Sequence, residues 1–307
     1  MKDSSILVLG AGELGMAVLR NLTKSRPSHS GSRIAVLLRP STISSDDPAK
    51  QRDITEIRSL GVEILPGDIG GASEQELAAL FEPFDTVIGC TGFVGGRGTQ
   101  RKLTRAALKA GVRRYIPWQF GVDYDVIGRG SAQDLFDEQL DVRDLLRQQH
   151  STEWVIISTG MFTSFLFEPS FGVVDLATET VNALGSFDTS VTVTTAEDIG
   201  ALTARVVFAE PRIANQVVYV GGDTVSYGRL ADLLDSWLGR KMRRTEWTVA
   251  QLKEELAKEP ENPLRKYRVV FAEGKGVSWP LEETFNAQHH IETMDVAGWM
   301  SANLSRS

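Results

Sequence analysis

Three glycines near the start of the chain have the spacing of a nucleotide-binding turn. Gly10, Gly12 and Gly15 form a Gly-x-Gly-x-x-Gly pattern directly after the apolar run Ile6–Leu9. In such a turn the first glycine permits the tight bend, the second lets the backbone approach a pyrophosphate, and the third allows close packing. A helix that opens here would also point free N–H groups at the anion. The pattern predicts a dinucleotide site, and a purely structural turn is the alternative.

A cation follows the second apolar run. Arg39 comes directly after Arg33–Leu38, where a protein that prefers NAD would usually carry Asp or Glu for the ribose 2′-hydroxyl. Arginine instead offers a planar, permanently charged fork for a 2′-phosphate, and Lys50 adds a second cation. A solvated surface arginine is the alternative. These residues predict NADP(H) as the cofactor.

Two later turns are expected beside the same ligand. One leaves the fourth apolar run, Thr86–Gly89, and the other leaves the fifth, Tyr115–Pro117. We interpret Cys90, in the first of these turns, as a packed small hydrophobe rather than a nucleophile. The predicted cofactor contacts in the two turns are Thr91, Gly92, Phe93, Trp118, Gln119 and Phe120.

Strands and helices that alternate along the chain must position these turns. Thr99–Ala110 has apolar residues at helical spacing, at Leu103, Ala106, Ala107 and Ala110. The predicted buried strands are Ile6–Leu9, Arg33–Leu38, Val62–Leu65, Thr86–Gly89, Tyr115–Pro117 and Trp154–Ser158. Such alternation predicts an α/β fold with a Rossmann-type, doubly wound parallel sheet.

The pattern changes after residue 158. Short strand-like runs mix there with capped helices; the runs are Val181–Leu184, Val191–Thr194 and Gln216–Val220. The predicted helix starts are Thr195–Asp198, for a helix through Phe208, Ser226, for a helix stopped by Gly239, and Thr248–Gln251. We therefore predict an NAD(P)-binding Rossmann domain over residues 1–158 and a smaller α+β substrate-binding region over residues 159–307. The boundary is approximate because the two interleave.

Composition argues against several partners. The 307 residues include 33 Lys and Arg against 40 Asp and Glu, and a net charge of -7 disfavours nucleic acid. A single cysteine forbids an internal disulfide, and the histidines show no metal-ligand spacing, so no metal is predicted; they are His29, His150, His289 and His290. The longest uncharged stretch, Trp154–Phe167, is too short to cross a bilayer. The N-terminus carries no signal-peptide apolar region, so we expect a cytoplasmic protein without a membrane partner.

Together these motifs resemble the NmrA-like branch of the atypical short-chain dehydrogenases. More narrowly, they are similar to isoflavone reductases, phenylcoumaran benzylic ether reductases and fungal aromatic alcohol reductase-like proteins. The similarity runs over most of the chain. It is carried by the glycine turn and by Arg39–Thr42, Asp47–Lys50, Val62–Asp68, Ala110–Pro117, Phe120–Asp123, Phe136–Gln139 with Arg143, and Glu197–Gly200.

The resemblance implies an NADPH-binding Rossmann domain, a smaller C-terminal substrate domain, and hydride transfer to a small aromatic or polyketide-like substrate. A homodimer is left open. The cofactor contacts that it implies are Gly10, Gly12, Glu13, Leu14 and Gly15 at the pyrophosphate, Arg39 and Lys50 at the 2′-phosphate, and Arg143.

One departure from the family concerns the proton donor. Plant reductases of this group carry a lysine, taken as the general acid/base, at the position of Gln139. No lysine occurs between Lys109 and Lys241 in this sequence. The Tyr-x-x-x-Lys pair of classical short-chain dehydrogenases is also missing, since the residues four after Tyr115 and Tyr124 are a glutamine and a glycine.

Gln139 falls on the apolar stripe of a predicted helix, with Leu135, Val142 and Leu146. An amide on such a stripe needs hydrogen-bond partners, which either nearby backbone or a bound substrate or cofactor can supply. The amide can orient a carbonyl or a water, but it has no proton that titrates near neutral pH. The candidate catalytic residues are therefore Gln139 and Tyr124, with Asp123, Asp125 and Asp137 as further nearby groups.

An aromatic loop, Gly160–Phe167, follows the sixth predicted strand at the edge where open α/β sheets bind ligands. Met161, Phe162 and Phe165 are the candidate substrate contacts, and helix-packing core is the alternative.

The leading hypothesis is an NADPH-dependent reductase of a small aromatic specialised metabolite. The alternatives are a non-catalytic NADP(H)-sensing regulator of the NmrA type and a non-redox enzyme of cyclisation or elimination.

Overall fold

The computed structural model describes residues 5–25, 33–93 and 95–305, with strands and helices alternating through its first half. Within these residues the strands are β1 (Ile6–Leu9), β2 (Ile34–Leu38), β3 (Glu63–Pro66), β4 (Thr86–Gly89), β5 (Arg114–Ile116), β6 (Glu153–Ser158), β7 (Met161–Phe162), β8 (Val174–Asp175), β9 (Thr180–Leu184), β10 (Ser190–Thr194), β11 (Gln216–Tyr219), β12 (Asp223–Ser226) and β13 (Arg243–Trp247). Each predicted strand is confirmed with ends that agree within one residue.

The helices follow the same order along the chain. They are α1 (Glu13–Ser25), α2 (Pro40–Ile43), α3 (Pro48–Ser59), α4 (Glu74–Phe81), α5 (Thr99–Ala110), α6 (Tyr124–Ile127), α7 (Leu135–Arg147), α8 (Ala196–Val207), α9 (Tyr227–Leu238), α10 (Val249–Lys258), α11 (Pro263–Glu273), α12 (Phe285–Gln288) and α13 (Val296–Asn303). Short 3₁₀ turns lie at Thr163–Phe167 and Leu281–Glu283.

The chain divides into two compact units. The first unit comprises Met1–Gln119, Glu138–Ile157 and Ile199–Val218, and the second unit comprises Phe120–Asp137, Ser158–Asp198 and Tyr219–Ser307. The chain therefore passes between the units several times. The predicted division between residues 158 and 159 lies beside one of these passages.

The first unit contains a seven-stranded sheet in the order β11-β6-β5-β4-β1-β2-β3. The pairings from β6 through β3 are all parallel. From β1 the chain first builds outward to β3, then returns to place β4, β5 and β6 on the other side. This confirms the predicted doubly wound sheet, whose strand order reverses between β1 and β4 and leaves a crevice at their carboxyl ends.

Apolar strands and one apolar face of each helix hold this sheet together. All four residues of β1 are buried, as are Leu103, Ala106 and Ala107 on the inner face of α5. Helix α5 has the predicted limits and ends at Gly111, which adopts the left-handed conformation that favours glycine (φ 65°).

The fifth strand begins one residue earlier than predicted because a buried arginine belongs to it. Arg114 is 2% exposed, and its guanidinium donates to the carbonyl oxygens of Val206, Val207 and Ile213. Two of these acceptors, Val206 and Val207, lie in the last turn of α8, where carbonyl groups lack partners within the helix. Burial lowers the pKa of Arg114 to about 10, so the side chain keeps its charge at neutral pH.

The second unit contains two three-stranded sheets, in the orders β12-β10-β7 and β13-β9-β8. The predicted helix starts are confirmed by their capping bonds. The Ser226 hydroxyl accepts from the Arg229 N–H, Thr248 and Gln251 form a reciprocal capping box, and the Asp198 N–H donates to the Thr195 hydroxyl.

Candidate functional site

The three glycines of the first turn have different surroundings. Gly10 has a φ of 90°, which favours glycine, and a Cβ on Gly15 would lie 2.2 Å from the Gly10 carbonyl oxygen. A Cβ on Gly12, in contrast, would meet no atom of the described residues within 4 Å. Helix α1 begins one residue later, and its first bond runs from the Met16 N–H to the Gly12 carbonyl at 2.9 Å. The geometry fits a pyrophosphate that approaches at Gly12 and meets the start of the helix.

The turn after β4 packs directly on the glycine turn. A Cβ at Gly10 would lie 3.1 Å from the Thr91 methyl carbon, and the Thr91 hydroxyl is buried without a hydrogen-bond partner in the described residues. Beside it, Phe93 meets Trp118 edge to face with ring centroids 4.6 Å apart. Cys90 is buried, which raises the pKa of its thiol far above the ordinary value and keeps it protonated.

The two predicted 2′-phosphate cations lie on the exposed surface of the first unit. Arg39 follows β2 and begins α2, where its carbonyl oxygen accepts from the Thr42 and Ile43 N–H groups. Its guanidinium makes no hydrogen bond or ion pair within the described part of the chain. Lys50 lies in the first turn of α3, which is capped by Asp47. The N–H groups of Lys50 and Ala49 lower the pKa of the Asp47 carboxyl, so it stays ionised beside the lysine.

A polar network joins the turn after β5 to helix α7. The Gln119 amide donates from Nε2 to the Gln139 carbonyl oxygen at 2.8 Å and accepts at Oε1 from Arg143 Nε at 2.8 Å. All three residues are fully buried. Gln119 thereby fixes both the backbone at Gln139 and the plane of the Arg143 guanidinium.

The side chain of Gln139 is different from that of Gln119. Both its amide oxygen and its amide nitrogen are buried, and neither has a partner among the described residues. Nearby backbone therefore does not supply hydrogen bonds to this amide. That was one of the two interpretations of a glutamine on an apolar stripe. An unpaired buried amide costs free energy, and no hydrogen bond within the described residues offsets that cost at Gln139.

Tyr124 belongs to the second unit, at the start of α6. It is 2% exposed, and its ring meets Phe136 edge to face at 4.9 Å between centroids. Its hydroxyl would lie 2.7 Å from a Cβ at Gly121, so only glycine fits there without displacement of the tyrosine. The neighbouring Asp123 caps α6 and accepts from the Tyr219 hydroxyl at 2.7 Å.

The aromatic loop of the second unit is partly core and partly exposed. Met161 is buried and pairs with Val193 of β10, whereas Phe162 and Phe165 are half-buried. Phe165 packs on Phe171 with ring centroids 4.5 Å apart. Phe120, predicted to contact the cofactor, is also buried within this unit.

One buried charge beside Gln139 was not predicted from the sequence. Glu138 is 7% exposed and accepts hydrogen bonds from three backbone N–H groups at the start of α5. The only local signal was a carboxylate in an otherwise half-apolar helix, because its partners lie far away in the sequence.

The described residues contain neither a candidate metal cluster nor a candidate membrane span. They contain no group of three or more His, Cys, Asp and Glu side chains that could hold a metal ion. His29, one of the histidines considered, lies outside them. No helix in this part of the chain is long and apolar enough to cross a membrane.

Comparison with known proteins identifies the family. Residues 2–296 match the NmrA-like family. An NmrA-like family domain-containing oxidoreductase from Gibberella moniliformis is 49% identical over 94% of this chain and 95% of its own. A crystal structure of isoflavone reductase superposes with a TM-score of 0.80 at 19% identity, over 98% of this chain and 99% of its own.

A further solved structure carries ligands. AtPrR2 with NADP+ and (+)-pinoresinol superposes with a TM-score of 0.76 at 17% identity, over 98% of this chain and 99% of its own. The predicted fold and enzyme class are confirmed by these comparisons. The chain belongs to the NmrA-like family, and it is an oxidoreductase.

Proposed function

We propose that this protein is an NADPH-dependent reductase that transfers hydride to a small, apolar, aromatic substrate. One observation carries the proposal: the glycine turn faces open space at Gly12, and it lies where the strand order of the sheet reverses. Ligands of doubly wound folds bind at that reversal. The oxidoreductase from Gibberella moniliformis and the NADP+ complex of AtPrR2 support the same assignment.

The first unit offers a group for each part of NADPH. The N–H groups of Glu13, Leu14 and Gly15, with Gly10 and Gly12 beneath, would meet the pyrophosphate. Arg39 and Lys50 would hold the 2′-phosphate by charge. The unpartnered Thr91 hydroxyl would gain a hydrogen-bond partner from the ligand. The remaining proposed contacts are Gly92, Phe93, Trp118, Gln119, Phe120 and Arg143. When bound, NADPH supplies the hydride.

Gln139 is the proposed catalytic contact with the substrate. Its amide N–H would donate to a substrate carbonyl or to an ordered water, which orients the group that receives the hydride. Because a neutral amide does not ionise near pH 7, the proton itself would come from water or from a second donor. Tyr124 is the candidate for that second donor.

The proposed substrate contacts are Met161, Phe162 and Phe165. The half-buried rings of Phe162 and Phe165 support an aromatic substrate, because stacked or edge-to-face ring pairs add to the free energy of simple burial. Arg143, fixed by Gln119, would keep the cofactor end of the site rigid.

Calorimetry with NADPH, followed by NADPH consumption with a panel of aromatic ketones, enals and imines, tests the proposal. We expect saturable binding of NADPH and oxidation with at least one substrate class. Binding without oxidation across the panel would favour the NADP(H)-sensing regulator. A folded protein that does not bind NADPH would overturn the proposal.

A further inference from the structure

Glu138 holds the start of helix α5 with its side chain. One carboxylate oxygen, Oε2, accepts from the Gly98 N–H at 2.7 Å. The other, Oε1, accepts from the Gln100 N–H at 2.8 Å and from the Arg101 N–H at 3.1 Å. Glu138 is only 7% exposed, so water competes little for these bonds.

These bonds replace a cap that the local sequence does not provide. Gly98 occupies the N-cap position of α5, and a glycine has no side chain with which to accept from the first turn. The first N–H groups of a helix have no partner within it, and its positive dipole end favours an anion. Glu138 supplies both the acceptors and the negative charge, from a different helix.

The same contact reaches the turn that follows β4. The side chain of Gln100, one residue into α5, donates from Nε2 to the Gly92 carbonyl oxygen. The segment that carries Thr91, Gly92 and Phe93 is therefore tied to the first turn of α5. Glu138 fixes that turn of the helix through the backbone of the same Gln100.

Glu138 also precedes Gln139 on helix α7. A carboxylate that accepts three backbone bonds has little freedom, and neither has the helical turn that carries it. The Gln139 carbonyl is held from the other side by Gln119. One turn of α7 is thus anchored twice, once to α5 and once to the turn after β5.

We propose that Glu138 is a positioning residue, which holds the turn after β4 and the backbone of Gln139 in the single arrangement that receives NADPH. This inference rests on the proposed function, since it assumes that these two segments contact that cofactor. Glu138 itself is not proposed as a ligand contact, because both of its carboxylate oxygens accept from backbone N–H groups of the protein.

Two variants and one matched control test this role. Glu138→Gln keeps the shape and removes the charge, and Gln100→Met removes only the anchor of Gly92. Asp141→Asn is the control, because Asp141 joins the same two helices through an ion pair with Arg101 on the surface, at 3.3 Å. Exposed pairs of this kind contribute little to stability.

NADPH affinity by calorimetry and amide hydrogen exchange over residues 90–101 are the measurements. We expect Glu138→Gln and Gln100→Met to bind NADPH about tenfold more weakly, the effect of about one hydrogen bond, with faster exchange in this segment. Asp141→Asn should bind as the wild type does. Gln100→Met loses the bond from Nε2 to Gly92 but also removes an amide oxygen that has no partner among the described residues, so its melting temperature should change little.

The possible results distinguish the positioning role of Glu138 from the proposed function of the protein. If the wild type binds NADPH and both variants bind it as tightly as Asp141→Asn, the positioning role is wrong and the proposed function stands. If Glu138→Gln only lowers the melting temperature and Gln100→Met has wild-type affinity, Glu138 is merely structural. If the wild type does not bind NADPH, the proposed function and this inference both fail.

Discussion

The glycine turn and the surroundings of Gln139 lie in the same unit, but they offer ligands different kinds of groups. At the turn, the groups are backbone N–H donors and an open space at Gly12, which depend on the absence of side chains. Around Gln139, they are buried side chains of α7 and of the turn after β5, held by bonds between residues far apart in the sequence. A backbone site is therefore encoded in local spacing, whereas a side-chain site depends on tertiary partners.

Adding a side chain at the turn should have the largest effect. Gly12→Val places a side chain in the space proposed for the pyrophosphate, so NADPH binding should fall below detection in calorimetry while the fold is kept. Gly15→Val is the informative contrast, because its Cβ would lie 2.2 Å from the Gly10 carbonyl oxygen and the protein should lose stability. A folded Gly12→Val variant that binds NADPH normally would refute the assignment of the turn.

Replacing the two buried glutamines, Gln119 and Gln139, should give the next largest effect. Gln119→Leu leaves the Arg143 Nε without this acceptor and removes the side-chain bond to the Gln139 carbonyl, and it should lower the free energy of unfolding by about 2–3 kcal/mol. Gln139→Leu removes an amide that has no partner, so it should leave that free energy unchanged or raise it. Urea denaturation of both variants makes the comparison. Equal losses would mean that the Gln139 amide is satisfied within the protein.

Removing the surface cation Arg39 should have a smaller and more selective effect. Arg39→Ala removes a charged fork from the proposed 2′-phosphate site, so NADPH should bind about tenfold more weakly while NADH affinity hardly changes. Titration with both cofactors measures the ratio. An equal loss for the two would show that Arg39 does not contact the 2′-phosphate.

Much of the fold could be predicted from the sequence because its signals are local. Helix α5 has the limits given by its apolar spacing, and α9 lies between the predicted cap Ser226 and the predicted stop Gly239. The start of β5 was less predictable, since Arg114 is charged. Only its three carbonyl acceptors explain why it is buried in a strand.

The candidate site shows the same contrast between features with a local sequence signal and features that depend on tertiary partners. The glycine spacing was sufficient to locate the turn and its open space. The anchoring of α7 was not predictable, because Glu138 accepts from the backbone of α5 and every residue type except proline presents the same N–H groups at positions 98, 100 and 101. Nothing in the sequence distinguished Gln119, whose amide nitrogen and oxygen each have a partner, from Gln139, whose amide atoms have none among the described residues.

We propose above that Gln139 acts as an orienting amide in an NADPH-dependent reductase. The most direct test is kcat/KM from pH 5 to 10 for the wild type and Gln139→Ala, with a substrate identified in the panel. We predict a loss of about 1–2 kcal/mol in transition-state stabilisation, the scale of one hydrogen bond, with an unchanged pH profile. General acid catalysis contributes about 10²–10⁴-fold, so a loss of about ten-thousand-fold, or an ionisation that disappears with Gln139, would contradict the account.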